Sequence, residues 1–159
     1  MVSLLRLKHE ILLTPQSKPG REYPSRPLVG VGALIADSGR IVLIRRGSLP
    51  SLGEWSIPGG LVKIGETLKD AVIREAFEET GLRVEPYDLV ELLERIFRDQ
   101  DGLVQYHYVL ADYLCRPVDG ELIAGSDVTD AAWVDREQLP ELGLAPVTLR
   151  VALKALDLA

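Results

Sequence analysis

Three glutamates, Glu75, Glu78 and Glu79, stand at i, i+3 and i+4 spacing in the stretch Arg74-Glu75-Ala76-Phe77-Glu78-Glu79. On a helix such positions share one face, so three carboxylates come within a few ångströms of one another. Like charges at that spacing destabilise an isolated helix. A hard divalent cation reverses the cost, because Mg²⁺ takes oxygen ligands and is commonly shared between carboxylates and substrate phosphates. An ordinary solvated acidic face has the same spacing, so the glutamates alone do not decide.

Their neighbours add weight. Gly59-Gly60 lies a short loop ahead, where missing side chains let a backbone approach a ligand closely. Arg74 adjoins Glu75 and precedes Glu78 by one helical turn, a place from which it can hold the acids by charge-assisted hydrogen bonds or form a surface pair worth little.

The element that must carry these groups is legible. Thr67 and Asp70 have capping-box spacing, and Leu68, Val72 and Ala76 form an apolar stripe at helical period. Gly81 suits the left-handed residue after a helix end, so a helix is expected from Thr67 to Thr80. Before it, Val29 to Ile35 and Ile41 to Ile44 read as buried strands around the turn Asp37-Ser38-Gly39. Gly47 to Gly53 reads as a loop and Trp55 to Ile57 as a short strand. After the helix, Leu82 to Val84, Leu89 to Phe97 and Val104 to Leu114 read as strands, the last two joined by a turn at Asp99-Gln100-Asp101-Gly102. Ala131 to Val134 gives one more strand and Val147 to Leu158 a closing amphipathic helix. Strands mixed with two main helices predict an α/β fold in which helices cover a mixed sheet.

With Gly60, five residues, Glu66, seven residues, and then Arg74-Glu75-Ala76-Phe77-Glu78-Glu79-Thr80-Gly81-Leu82, the chain resembles the Nudix hydrolases over the whole of their box. Ala76 departs from the pattern, which usually has a larger aliphatic residue there. The likeness extends to Gly53-Glu54-Trp55-Ser56-Ile57-Pro58-Gly59-Gly60 and to Ala131-Ala132-Trp133-Val134 with the following Leu139-Pro140. It implies an α/β/α sandwich over residues 28–159. It also implies that Glu75, Glu78, Glu79 and the carbonyl of Gly59 are ligands of Mg²⁺ or Mn²⁺. By the same resemblance Glu66, Gly60 and Arg74 support the loop and helix, and the reaction is hydrolysis of a nucleoside diphosphate linked to another group. Many relatives are dimers, so a homodimer is an expectation.

For the general base, Glu78 and Asp127, on the loop Gly125 to Asp130, are the candidates. Arg45, Arg46 and Tyr108 are candidate substrate contacts; solvated strand-end arginines and a packed tyrosine are the plainer alternatives. Trp55 and Trp133 read as packing residues. Signatures outside the box decide little about substrate. ADP-ribose is the first choice and a (d)NTP the second, while a nucleotide sensor that has lost catalysis is disfavoured because every box acid is present.

The bulk numbers agree with an enzyme for a small nucleotide. The 159 residues fit one domain, and residues 1–27, with four prolines between Thr14 and Pro27, read as an N-terminal arm of unknown role. The net charge of −6 and the lack of a dense Lys/Arg run argue against coating nucleic acid. No apolar run approaches membrane-spanning length, and Arg6, Lys8, His9 and Glu10 interrupt any secretory signal. A single cysteine, Cys115, in an apolar stretch reads as a core residue of a cytoplasmic protein.

Overall fold

The computed structural model describes residues 20–159. Their elements are β1 (Leu28–Asp37), β2 (Arg40–Arg46), β3 (Trp55–Ser56), β4 (Gly59–Leu61), α1 (Leu68–Thr80), β5 (Arg83–Arg98), β6 (Val104–Asp119), β7 (Val128–Asp135), a 3-10 segment (Arg136–Leu142) and α2 (Pro146–Leu158). The expected α/β sandwich with a mixed sheet is what forms.

β1 is the organising strand. It pairs parallel with β6 from Leu28 to Ile35, antiparallel with β4 at Gly30 to Gly32, and antiparallel with β2 at its far end. The seven strands run in the order β3-β2-β1-β6-β5, with β4 on β1 and β7 on β2. Period-two alternation then sorts the core into two layers. Val31, Ala33, Ile35, Val42, Ala111 and Cys115 meet Ala71, Val72 and Ala76 of α1. Leu34, Ala36, Ile41, Leu43 and Leu114 meet Val151, Ala152 and Ala155 of α2. A strand covered on both faces needs apolar residues at every position, which is why β1 and β2 read as continuous apolar runs.

The helix at the site begins and ends where its caps dictate. The Thr67 hydroxyl accepts from the Asp70 amide at 3.1 Å and donates to the Asp70 carboxylate at 2.6 Å. At the other end Gly81 has φ 72° and its amide donates to the Phe77 carbonyl at 2.9 Å. Ala76 is fully buried beneath the sheet, so the small residue at this box position brings α1 down onto the core.

Three features differ from expectation. β5 is one 16-residue strand, not two, because the irregularity between Pro86 and Asp88 carries the proline through the ladder without its missing donor. β6 runs past Leu114 to Asp119 as its partner. The 3-10 segment after β7 was not foreseen; it buries Leu139 against the α2 layer and holds Pro140 in its interior. Of the arm, residues 20–27 lie against the β5–β6 hairpin: the Tyr23 amide donates to the Gln105 carbonyl at 2.8 Å, and its hydroxyl to Asp99 at 2.9 Å. The alternatives of helix or strand for Leu4 to Leu13, and His9 with them, lie outside the described residues.

Candidate active site

β1 and β4 bring Gly59 and Gly60 against the face of α1. A Cβ on Gly60 would fall 2.4 Å from the Glu75 carboxyl carbon, and one on Gly59 would fall 2.1 Å from the Val31 carbonyl oxygen. Only glycine lets the strand pass this close to both the helix acids and β1. The Gly59 amide donates to Oε2 of Glu79 at 2.9 Å, which fixes a carboxylate that is only 8% exposed.

Arg74 is the hub. Its Nε and Nη2 donate to the two oxygens of Glu66 at 2.6 and 2.8 Å, and Nη2 also donates to the Leu61 carbonyl at 3.0 Å. Nη1 pairs with Glu75 and, at 3.3 Å, with Glu78. One guanidinium therefore joins the loop acid, the β4 backbone and two helix acids. The Glu66 carboxyl is held down to about 2 by the hydrogen bonds from Arg74, with the Lys63 amide assisting. Arg74 is shifted up in turn, chiefly by Glu66. Glu78 is the exposed member, with 52% of its side chain open.

A groove lies over this hub, lined by Glu75, Glu78, Glu79, Gly59, Gly60, Lys63, Arg46 and Asp127. Asp127 is brought there by a loop strapped to the end of α1: the amides of Ile123 and Gly125 donate to the Thr80 and Glu79 carbonyls at 2.9 and 3.0 Å. Among the described residues no three acids or imidazoles converge on one point as they stand. Their oxygens turn instead to Arg74 and to the Gly59 amide. The donor set is all oxygen, carboxylate and carbonyl, which suits a hard divalent cation and not a soft one.

The candidate substrate contacts separate. Arg46 borders the groove, whereas Arg45 points the other way and donates to the Gly53 carbonyl at 2.9 Å, closing the loop after β2. Tyr108 lines an adjoining recess, stacked on Tyr106 with ring centroids 6.2 Å apart. Trp55 and Trp133 pack against the two core layers, the latter beneath Arg40 at 5.3 Å. Cys115 is fully buried and burial pushes its thiol up to about 12, so it is no nucleophile. Two lining residues went unremarked in the sequence. Arg21 reaches both groove and recess from the arm, and no local pattern marks it. Asp112 lies in the recess, and a lone acid in the apolar run Val109 to Cys115 was a readable sign.

The NUDIX domain family model matches residues 26–154, which includes the hub, all of α1 and most of α2. The chain belongs to the Nudix hydrolase family. Among curated Nudix relatives, an ADP-ribose pyrophosphatase of Methanocaldococcus jannaschii is 36% identical over 73% of this chain and 66% of its own length, just under two thirds. A MutT-like protein of Streptomyces ambofaciens is 32% identical over 92% of this chain and 88% of its own. Among solved structures, a MutT NUDIX hydrolase from Burkholderia pseudomallei is 32% identical with a TM-score of 0.71, covering 82% of this chain and 98% of that one. No helix among the described residues of this Nudix chain is long and apolar enough to cross a membrane.

Proposed function

We propose that this Nudix hydrolase cleaves a pyrophosphate bond in a nucleoside diphosphate linked to a further group, with ADP-ribose as the favoured substrate. The observation that carries the reading is the groove itself. Gly59 and the three box acids Glu75, Glu78 and Glu79, an all-oxygen donor set that suits a hard cation, border one cleft together with the cation Arg46. The named activity of the M. jannaschii relative supports ADP-ribose as the first substrate to try. A (d)NTP stands as the second.

Glu75, Glu78, Glu79 and the Gly59 carbonyl are the residues that would hold Mg²⁺ or Mn²⁺. A divalent cation bound to them neutralises pyrophosphate oxygens and lowers the pKa of a water. The chain's own residues do the rest. Arg74 and Glu66 keep the helix and the β4 backbone in fixed relation. Arg46 offers a fixed positive charge to a phosphate entering the groove. Asp127 and Glu78 flank the cleft as the candidates for removing a proton from the attacking water.

The test is a panel of ADP-ribose, NADH, dinucleoside polyphosphates and (d)NTPs, each with and without Mg²⁺, with products separated by chromatography. The Glu78→Gln, Glu79→Gln double variant is the control. Metal-dependent cleavage of ADP-ribose that the double variant lacks is the expected result. Preferential cleavage of a (d)NTP would replace the first substrate by the second, and nucleotide binding with no turnover of any compound would replace the enzyme by a sensor.

A further inference from the structure

The recess beside the groove lies between the sheet and the start of α2. Its floor follows from strand register. Gly30 and Gly32 alternate on the α2 side of β1, and their neighbours in parallel β6 are Leu110 and Asp112. A Cβ on Gly32 would fall 2.2 Å from Oδ1 of Asp112, and one on Gly30 would fall 2.8 Å from Cδ2 of Leu110. The two missing side chains let Asp112 and Leu110 lie across β1 and form that floor. The walls are Leu93, Phe97, Tyr108, Val147 and Val151, and the recess opens into the groove past Gly59, Gly60, Leu61 and Arg46, which border both.

Asp112 is 6% exposed, yet among the described residues it makes no hydrogen bond and no ion pair. Of the nearby cations, Arg150 and Lys154 of α2 reach Glu91, its cross-strand neighbour, at 2.6 and 3.4 Å, while Arg95 lies over the Phe97 ring at 5.2 Å and acts on Asp112 through its charge alone. A buried, unbonded carboxyl is costly, and a second polar side chain, Thr148, sits 7% exposed in the same recess. Apolar side chains of similar volume would fill this floor at less cost, unless a ligand supplies the missing partner.

We propose that Asp112 reads the base of the bound nucleotide, its carboxyl accepting a hydrogen bond from the exocyclic amino group of a 6-aminopurine held between the apolar walls. This rests on the adjoining groove being the pyrophosphate site. The aromatic and aliphatic walls suit a heterocycle, and an ionised carboxyl oxygen accepts from an amine while repelling the carbonyl that replaces it in a 6-oxopurine. Burial pushes the Asp112 carboxyl up to about 6, with Glu91 acting in the same direction.

The experiment compares amine and oxo partners on every nucleotide turned over: ADP-ribose with its deaminated inosine analogue, and ATP with ITP. Wild-type protein is expected to favour the amine partner about tenfold or more in kcat/KM, the scale of one well-placed hydrogen bond. In Asp112→Leu that preference collapses through KM, with kcat for the metal-dependent step little changed. In Asp112→Asn, whose amide can donate to a carbonyl, the preference narrows or inverts. Equal use of both partners by the wild type, or an unchanged preference in both variants, overturns the assignment. Turnover of ATP and not ADP-ribose would sink the favoured substrate but still test the base. If nothing is turned over, the same pairs are compared by calorimetric binding. There, amine preference lost in Asp112→Leu supports the role, and equal or absent binding ends it.

Discussion

Arg74 grips Glu66 at two points, Nε to Oε1 at 2.6 Å and Nη2 to Oε2 at 2.8 Å, across the eight residues that join the box loop to its helix. This planar fork is a geometry only arginine supplies. The pair spans the boundary between β4 and α1, so its rigidity is what keeps the glycine backbone and the helix acids in register.

Replacing Arg74 by lysine keeps the charge and loses the fork. Activity is expected to fall about 10- to 100-fold, as for other residues that orient metal ligands, with the metal concentration for half-maximal rate rising. A divalent titration of Arg74→Lys checks this, and wild-type behaviour would remove the hub from the mechanism.

The two glycines are expected to fail differently. In Gly60→Ala the new methyl meets the far end of a flexible side chain, Glu75, so activity drops while the melting temperature holds. In Gly59→Ala it meets the Val31 carbonyl of β1, a backbone atom that cannot step aside. There the fold itself loses about 1–3 kcal/mol, the usual range for overpacking. Thermal melts and rates on the pair separate the two cases.

Acid titration should show opposite slopes from two carboxyls. Glu66 is held at about 2 by Arg74, below its unfolded value, so its contribution is present above pH 4.5 and fades as pH falls toward 2. Asp112 is raised to about 6 from 3.8 by burial and by Glu91, against the opposing charge of Arg95. Between those values the unfolded chain binds fewer protons, so stability falls as pH rises, by about 3 kcal/mol in all. Asp112→Asn should abolish that fall and leave a more stable protein at pH 7.5. Chemical denaturation from pH 3 to 8 tests both; an unaltered pH slope in Asp112→Asn would contradict the buried-carboxyl account.

If Asp127 takes the proton from the attacking water, Asp127→Asn loses about 10²- to 10⁴-fold in kcat with little change in metal dependence. Near-normal kcat in that variant would shift the role to Glu78.

The sequence revealed what is local and periodic. The helix, its caps, the three glutamates and the glycine pair are each set by spacing within about one helical turn or one loop, so they could be read without a fold. Arg45 and Arg46 could not be told apart, because which of two adjacent strand residues faces the cleft depends on pairing with β7. The strands read at Leu82 to Val84 and Leu89 to Phe97 are one strand, because the ladder absorbs Pro86 in an irregularity that only pairing with β6 reveals. Asp112 needed Gly32 beside it, and that neighbourhood arises only from the parallel register of β1 and β6. Arg21 approaches from a segment whose path no pattern in the chain announces.

The strap that ties Ile123 and Gly125 to the end of α1 has a consequence for how this enzyme can diversify. A methyl on Gly125 would lie 1.9 Å from the Glu78 carbonyl, and one on Gly47 would lie 2.7 Å from the Asp127 carbonyl. The acidic wall is thereby one stiff piece, intolerant of insertion or side-chain growth along its seam. Freedom to accept new leaving groups is left to the bank where Pro50, Ser51 and the arm around Arg21 border the adjoining recess. Lineages altering substrate choice would be expected to lengthen or recolour that bank while leaving the acid seam untouched.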